Sequence, residues 1–276
     1  MTASAQPLEL STGATVSVTD VGEGPAIVLL HGVCMASAFF ARNVEALAAH
    51  HRVVALDFRG HGQSPPAPDG HTVPQYARDV RALCERLGLE RPVLVGWSMG
   101  SLVAWDYLAQ FAADPRVAGV AIVSQGPSDL TQSDWPHGIA DTAALREWVE
   151  ALQADTPGFL AAFLPELFKE PLADDETATL LAAIAGIAPG TATSILVDQT
   201  LADYRSQIAA LDVPHLLVWG ADEKVGQLAA AAWLADTLPA SELHVFEDSG
   251  HCPMYEEPAR FNALLADWIA RLAAAP

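Results

Sequence analysis

Pro92-Val93-Leu94-Val95-Gly96-Trp97-Ser98-Met99-Gly100-Ser101-Leu102-Val103 runs from one apolar stretch, through a glycine–serine turn, into another. The first stretch reads as a short strand, Pro92–Gly96, buried on both faces, and the second as the start of a helix. Gly96 and Gly100 bracket Ser98 two positions to either side. A turn this tight leaves no room for side chains there, and it lifts the serine hydroxyl to the carboxyl edge of a sheet. The helix that follows directs its N-terminal dipole at the same point and favours developing negative charge. A glycine–serine turn without chemistry is the plainer alternative, and the apolar strand and helix on its flanks weigh against it.

The rest of the chain repeats the strand–helix alternation. Thr15–Asp20, Ala26–Leu30, Arg52–Asp57, Val117–Val123, Pro214–Trp219 and Glu242–Phe246 read as further strands. Between two of them, Thr72–Leu87 reads as a helix with Tyr76, Val80, Leu83 and Leu87 on one stripe, stopped by Gly88. A final helix starts near Pro258, with Phe261, Leu264, Leu265, Trp268 and Leu272 on one face. This order predicts an α/β fold, a mostly parallel central sheet flanked by helices. From Gly126 to Ala210 the alternation stops, and only Ala- and Leu-rich helical segments punctuated by prolines are found. Usual connections run to about 2–6 residues, so the stretch reads as a helical cap inserted between two late strands. The expected division is a core of residues 1–125 and 211–276 with a cap of residues 126–210. The aromatic residues of that stretch read first as packing, and none is singled out as lining a pocket.

Composition narrows the partners. The 276 residues are 51% hydrophobic and 17% charged, which excludes intrinsic disorder. Lys and Arg number 14 against 34 Asp and Glu, a net charge of −20. That field repels phosphate backbones and anionic membranes, so neither nucleic acid nor a membrane is expected as a partner. No apolar run approaches the roughly 20 residues of a membrane helix, and Met1–Leu10 lacks the features of a signal peptide. The expectation is a soluble, cytoplasmic protein. Cys34, Cys84 and Cys252 are too few and too scattered for a disulfide framework or a metal site; Cys34 and Cys252 read as small residues flanking the pocket.

A serine nucleophile needs an imidazole base, an acid that orients the base, and donors for the oxyanion. Ser249-Gly250-His251 follows the last strand, on the edge where Ser98 emerges, and makes His251 the candidate base. His61, in the loop after Arg52–Asp57, is its rival. His31-Gly32-Val33-Cys34 follows the strand Ala26–Leu30. There the Val33 amide could join that of Met99 as an oxyanion hole, with His31 itself structural. An acid is due after Pro214–Trp219, where Asp222 and Glu223 compete. Asp129, after Val117–Val123, lies too far into its loop to be favoured.

From about Leu8 to Leu272 the chain resembles the α/β-hydrolase fold superfamily. The resemblance rests on His31-Gly32, Asp57 to Ser64, the turn at Ser98, the acid turn and Ser249-Gly250-His251. It is similar to the cofactor-free esterase, lactonase and haloperoxidase/perhydrolase-like branch, whereas dehalogenase and epoxide hydrolase branches carry aspartate where Ser98 stands. In the superfamily the acid commonly lies three residues beyond a glycine that ends its strand, with an apolar residue two further on. Gly220 and Val225 fit that spacing with Glu223 as the acid. Ser101 departs from the pattern, since many members have a second glycine there. The resemblance implies a serine hydrolase for a small or medium ester, lactone or thioester, working without metal or organic cofactor. It also leaves perhydrolase or lyase chemistry at the same site, or a non-catalytic ligand receptor, because one fold hosts many functions.

Overall fold

The computed structural model describes residues 4–113 and 116–274. Eight strands form one sheet: β1 (Gln6–Glu9), β2 (Thr15–Val21), β3 (Ala26–Leu30), β4 (Arg52–Asp57), β5 (Val93–Trp97), β6 (Gly119–Val123), β7 (His215–Gly220) and β8 (Ser241–Phe246). Their order is β1-β2-β4-β3-β5-β6-β7-β8. The β1–β2 and β2–β4 pairs are antiparallel and every later pair is parallel.

The apolar runs are continuous because the sheet is covered twice. Along β3 to β7, alternate residues serve opposite faces. Val28, Leu30, Val54, Leu56, Leu94 and Ile122 join one core, with the helices Val73–Arg86 and Met99–Gln110. Ile27, Leu29, Val53, Val93, Val95 and Val123 join the other, with Ala41–Ala48 and Pro258–Ala274. Strand β1 was not expected. It is only four residues long, mostly exposed and held along one edge by β2, so it carries no periodic signal to read.

From β3 the chain steps outward to β4 and then crosses back to β5 on the other side of β3. The loops leaving β3 and β5 therefore diverge at their carboxyl ends and open a crevice between them, the point where ligands bind in open α/β sheets. The His31-Gly32-Val33 loop and Ser98 both leave strands there.

Between β6 and β7 the described residues form helices Thr142–Ala154, Thr156–Phe163, Asp174–Ile184, Pro189–Leu201 and Arg205–Ile208, with only isolated bridges such as Leu130 to Ala140. Their starts are written locally. Asp141 Oδ1 accepts from the amides of Ala143 (3.0 Å) and Ala144 (2.8 Å), and Pro157 and Pro189 occupy first turns, where a missing N–H costs nothing. Among the described residues no single helix is long and apolar enough to cross a membrane.

Candidate active site

Ser98 closes β5 and caps the helix Met99–Gln110 with φ 52° and ψ −127°. A side-chain-bearing residue seldom holds a positive φ without a surrounding structure that enforces it. Here the Ser98 amide donates to Val123 O at 2.9 Å, and its carbonyl accepts from Ser101 N at 2.8 Å. A β-carbon on Gly100 would collide with the carbonyl of Leu30, so the helix starts flush against β3. Ser101, the departure from the family pattern, is buried and donates its hydroxyl to Gly96 O at 2.7 Å. The extra hydroxyl fastens the turn instead of spreading it.

The loop after β3 presses on the same turn. A β-carbon at Gly32 would stand 3.2 Å from that of Ser98, and Val33 lines the cavity that Ser98 faces. Met99, as first residue of its helix, has an amide without an intrahelical partner. His31 is buried behind them. Its Nδ1 donates to Gly32 O (2.8 Å) and its Nε2 accepts from Phe58 N (3.0 Å), and burial holds it down at about 4. It is a neutral brace for the loop. His61 is buried as well, with Nδ1 3.1 Å from Arg59 O and its ring against His31. Burial first, then His31, pushes it down to about 3, and it does not line the cavity.

His251 does line that cavity. Its loop is tied on three sides: His251 N donates to Leu167 O (3.0 Å), Trp97 Nε1 donates to His251 O (2.8 Å), and Gly250 N donates to Glu256 Oε2 (2.8 Å). Trp97 and Glu256 escaped the sequence reading, because an indole inside a strand and a carboxylate at a helix start look like ordinary packing and capping. His251 Nδ1 lies 2.9 Å and 3.0 Å from the two oxygens of Glu223. Only an N–H can face a carboxylate, so Nδ1 carries a proton, and in the neutral ring Nε2 is the nitrogen with the lone pair.

Glu223 reaches this position from a tight turn after β7. Its side chain is 2% exposed, and Oε1 also accepts from the amides of Val225 (2.9 Å) and Gly226 (3.1 Å). Burial by itself raises the Glu223 carboxyl; the charge of His251 and the hydrogen bonds it receives outweigh that and hold it below its usual range. Asp222 is exposed, and its amide donates to Ser249 O at 3.0 Å. Its backbone serves the turn while the carboxylate stays in solvent.

The cavity has a volume of about 380 Å³ and is mostly apolar. Trp148, Phe159 and Phe163 from the helices between β6 and β7 wall it, as does Cys34. Burial pushes the Cys34 thiol up to about 12, so it is inert packing. Cys252 is buried under the site, its thiol also raised by burial. Among the described residues no group of three His, Cys, Asp or Glu is placed to hold a metal ion.

Asp129 requires a correction. The loop after β6 doubles back, with the amides of Ile139 and Ala140 donating to Asp129 O (2.8 and 3.1 Å), and the side chain lies buried in the cavity wall. It does not lie too far along to reach the site; what was missed is the return of the loop. Its carboxylate accepts from Gln125 Nε2 (2.6 Å) and Gln199 Nε2 (3.0 Å). Burial pushes it up to about 6 from an ordinary 3.8, against the Gln125 hydrogen bond and the field of His251. The folded protein thus holds a proton here that the unfolded chain releases, and this term adds stability as pH falls from above 6 toward 3.8. Above that window the ionised form costs on the order of 3 kcal/mol. Asp129→Asn is expected to raise the urea midpoint at pH 8 and to lose that advantage near pH 4; an advantage that stays constant with pH refutes the assignment.

Residues 25–258 match the family model described as alpha/beta hydrolase fold. The chain belongs to the alpha/beta hydrolase fold family. It is 29% identical over 262 residues to a pimeloyl-[acyl-carrier protein] methyl ester esterase of Chromobacterium violaceum, covering 91% of this chain and 97% of that one. This hydrolase-fold chain also superposes on an esterase from Exiguobacterium antarcticum with TM-score 0.91 at 22% identity, covering 96% and 99% of the two chains. A bromoperoxidase from Bacillus anthracis matches with TM-score 0.91 at 22% identity, covering 97% and 100%. At that identity the two structures speak for the fold alone.

Proposed function

We propose that this alpha/beta hydrolase is a serine hydrolase that cleaves a small or medium carboxylic ester, lactone or thioester through an acyl-enzyme on Ser98. The observation that carries the reading is the buried Glu223–His251 pair (2.9 Å) opening into the cavity that Ser98 faces. Such a pair beside a strained serine suits removal of the serine proton. Glu223 fixes the ring with its proton on Nδ1, so Nε2 takes the proton of Ser98 as Oγ attacks the carbonyl carbon. The amides of Val33 and Met99 hold the oxyanion. The tetrahedral adduct collapses, the C–O or C–S bond breaks, and the leaving alcohol or thiol receives the proton from His251. Water then attacks the acyl-enzyme, gives its proton to Nε2, and the acid departs as Ser98 recovers its own. The curated ester-cleaving relative supports the same class of bond.

In this reading residues 126–210 are a cap over a core of residues 1–125 and 211–276, and they shape the substrate end of the cavity. Phe159→Ala enlarges that end, and the kcat/KM of a long-chain ester relative to an acetate is expected to rise about tenfold, the scale of a few methylenes in an apolar pocket. Equal loss on both esters would show that the helix holds the core and not the substrate.

Turnover of a p-nitrophenyl ester, with a mass increment on Ser98 from a fluorophosphonate, tests the central step. An unlabelled Ser98 in a protein that still hydrolyses the ester overturns it.

A further inference from the structure

Four polar side chains that acyl transfer leaves unused meet in one wall of the mostly apolar cavity. Ser124 and Gln125 directly follow β6, Asp129 comes from the loop beyond, and Gln199 comes from the helix Pro189–Leu201. All four are nine-tenths or more buried, at 1%, 5%, 1% and 3% exposure respectively. The wall begins beside the nucleophile, since Val123, whose carbonyl accepts from Ser98 N, immediately precedes Ser124.

The hydrogen bonds in the wall fix what it shows to the cavity. A carboxylate only accepts, so Gln125 and Gln199 both turn their NH₂ groups inward onto Asp129. The second N–H of Gln125 goes to Gly126 O at 2.9 Å. Gln199 Oε1 must then face away from Asp129, and this buried oxygen has no partner; nor has the buried hydroxyl of Ser124. Buried polar atoms are nearly always paired. The lysine of the cavity lining offers no compensation, because Lys224 Nζ donates to the carbonyls of Phe168 (2.7 Å) and Lys169 (3.3 Å). The wall therefore holds a carboxylate, an orphaned amide oxygen and an orphaned hydroxyl, with both amide hydrogens of Gln125 and one of Gln199 already spent.

We propose that this wall is a substrate-recognition subsite for a hydrogen-bond donor, a hydroxyl or ammonium group borne by the acyl or alcohol part of the ester. The inference rests on the hydrolase reading above and narrows it to esters or lactones of hydroxy or amino compounds. The donor group gives its hydrogens to Gln199 Oε1 and the Asp129 carboxylate, and the Ser124 hydroxyl completes the set. A methyl group in the same place leaves the Gln199 oxygen and the Ser124 hydroxyl without a partner.

The test uses matched esters bearing methyl, hydroxyl or ammonium at successive carbons on either side of the ester bond. For the best-placed substituent, wild-type kcat/KM is expected to be about tenfold or more higher with a donor than with methyl. Ser124→Ala and Asp129→Asn should each bring that ratio toward one. A gain confined to ammonium assigns recognition to the charge of Asp129, and a gain for both groups assigns it to the acceptor set; either supports the subsite. Binding of the same esters to Ser98→Ala, read by the fluorescence of Trp97 and Trp148, scores the wall without turnover. A correspondingly lower Kd for the donor esters upholds the subsite even if no ester is hydrolysed by wild type, an outcome that would defeat only the hydrolase reading. Equal binding of the methyl and donor esters at every position overturns it, as does a donor preference unchanged in both wall variants.

Discussion

Ser98→Ala is expected to lower kcat for a p-nitrophenyl ester by about four orders of magnitude or more, with the thermal midpoint nearly unchanged. The size follows from the way a nucleophile and its base act as a unit: without Oγ, the polarised His251 has no proton to take. The small effect on stability follows from the packing. The Ser98 turn is held by backbone hydrogen bonds to Val123 and Ser101, and none of these involves the hydroxyl. Alanine must still adopt φ 52°, a strain that serine already bears. Steady-state kinetics with a melting curve on the same preparation provide the check. A variant that keeps its activity removes Ser98 from the reaction; one that is inactive and unfolded is separated by the melting curve, and Ser98→Cys or Ser98→Gly then repeats the measurement.

Glu223→Gln is expected to cut kcat by roughly three to four orders of magnitude, and Asp222→Asn to leave it near wild type. The local hydrogen bonds give the reason. Oε1 of Glu223 accepts from both Val225 N and Gly226 N, so a glutamine keeps its carbonyl oxygen on those amides. Its NH₂ is then turned to His251 Nδ1, which must become an acceptor. The imidazole proton moves to Nε2, the nitrogen that has to receive the proton of Ser98. Shape survives while the tautomer is inverted. Asp222, exposed on the same turn, makes no such demand. Paired kinetics of the two variants decide it, and a crippled Asp222→Asn beside an active Glu223→Gln reverses the assignment.

Much of this was legible in the one-dimensional pattern. Runs such as Ala26–Leu30 and Val93–Val95 have apolar residues at both parities, which only a strand covered on both faces can satisfy, and the gap from 126 to 210 stood out by its missing strands. The four-residue edge strand Gln6–Glu9 is too short to show such a pattern and was invisible. Ser98 was legible because glycines on both sides of a serine, between an apolar strand and an apolar helix, constrain the backbone locally.

By itself, then, the sequence determined the alternation of elements, the two-sided burial of the sheet, the strand-to-helix turn at Ser98 and the two glutamate and aspartate candidates after β7. These are properties of periodicity and of local backbone sterics, which neighbouring residues settle among themselves. Only the tertiary structure decided which carboxylate of the Asp222–Glu223 pair turns inward, since that depends on a turn packed against the Ser249–His251 loop. It alone brought Trp97 beneath His251 and folded Asp129 back into the cavity to meet Gln199. Those contacts join side chains far apart in the chain through loops of irregular shape, where a hydrogen-bond partner is chosen by the space left after the sheet has packed.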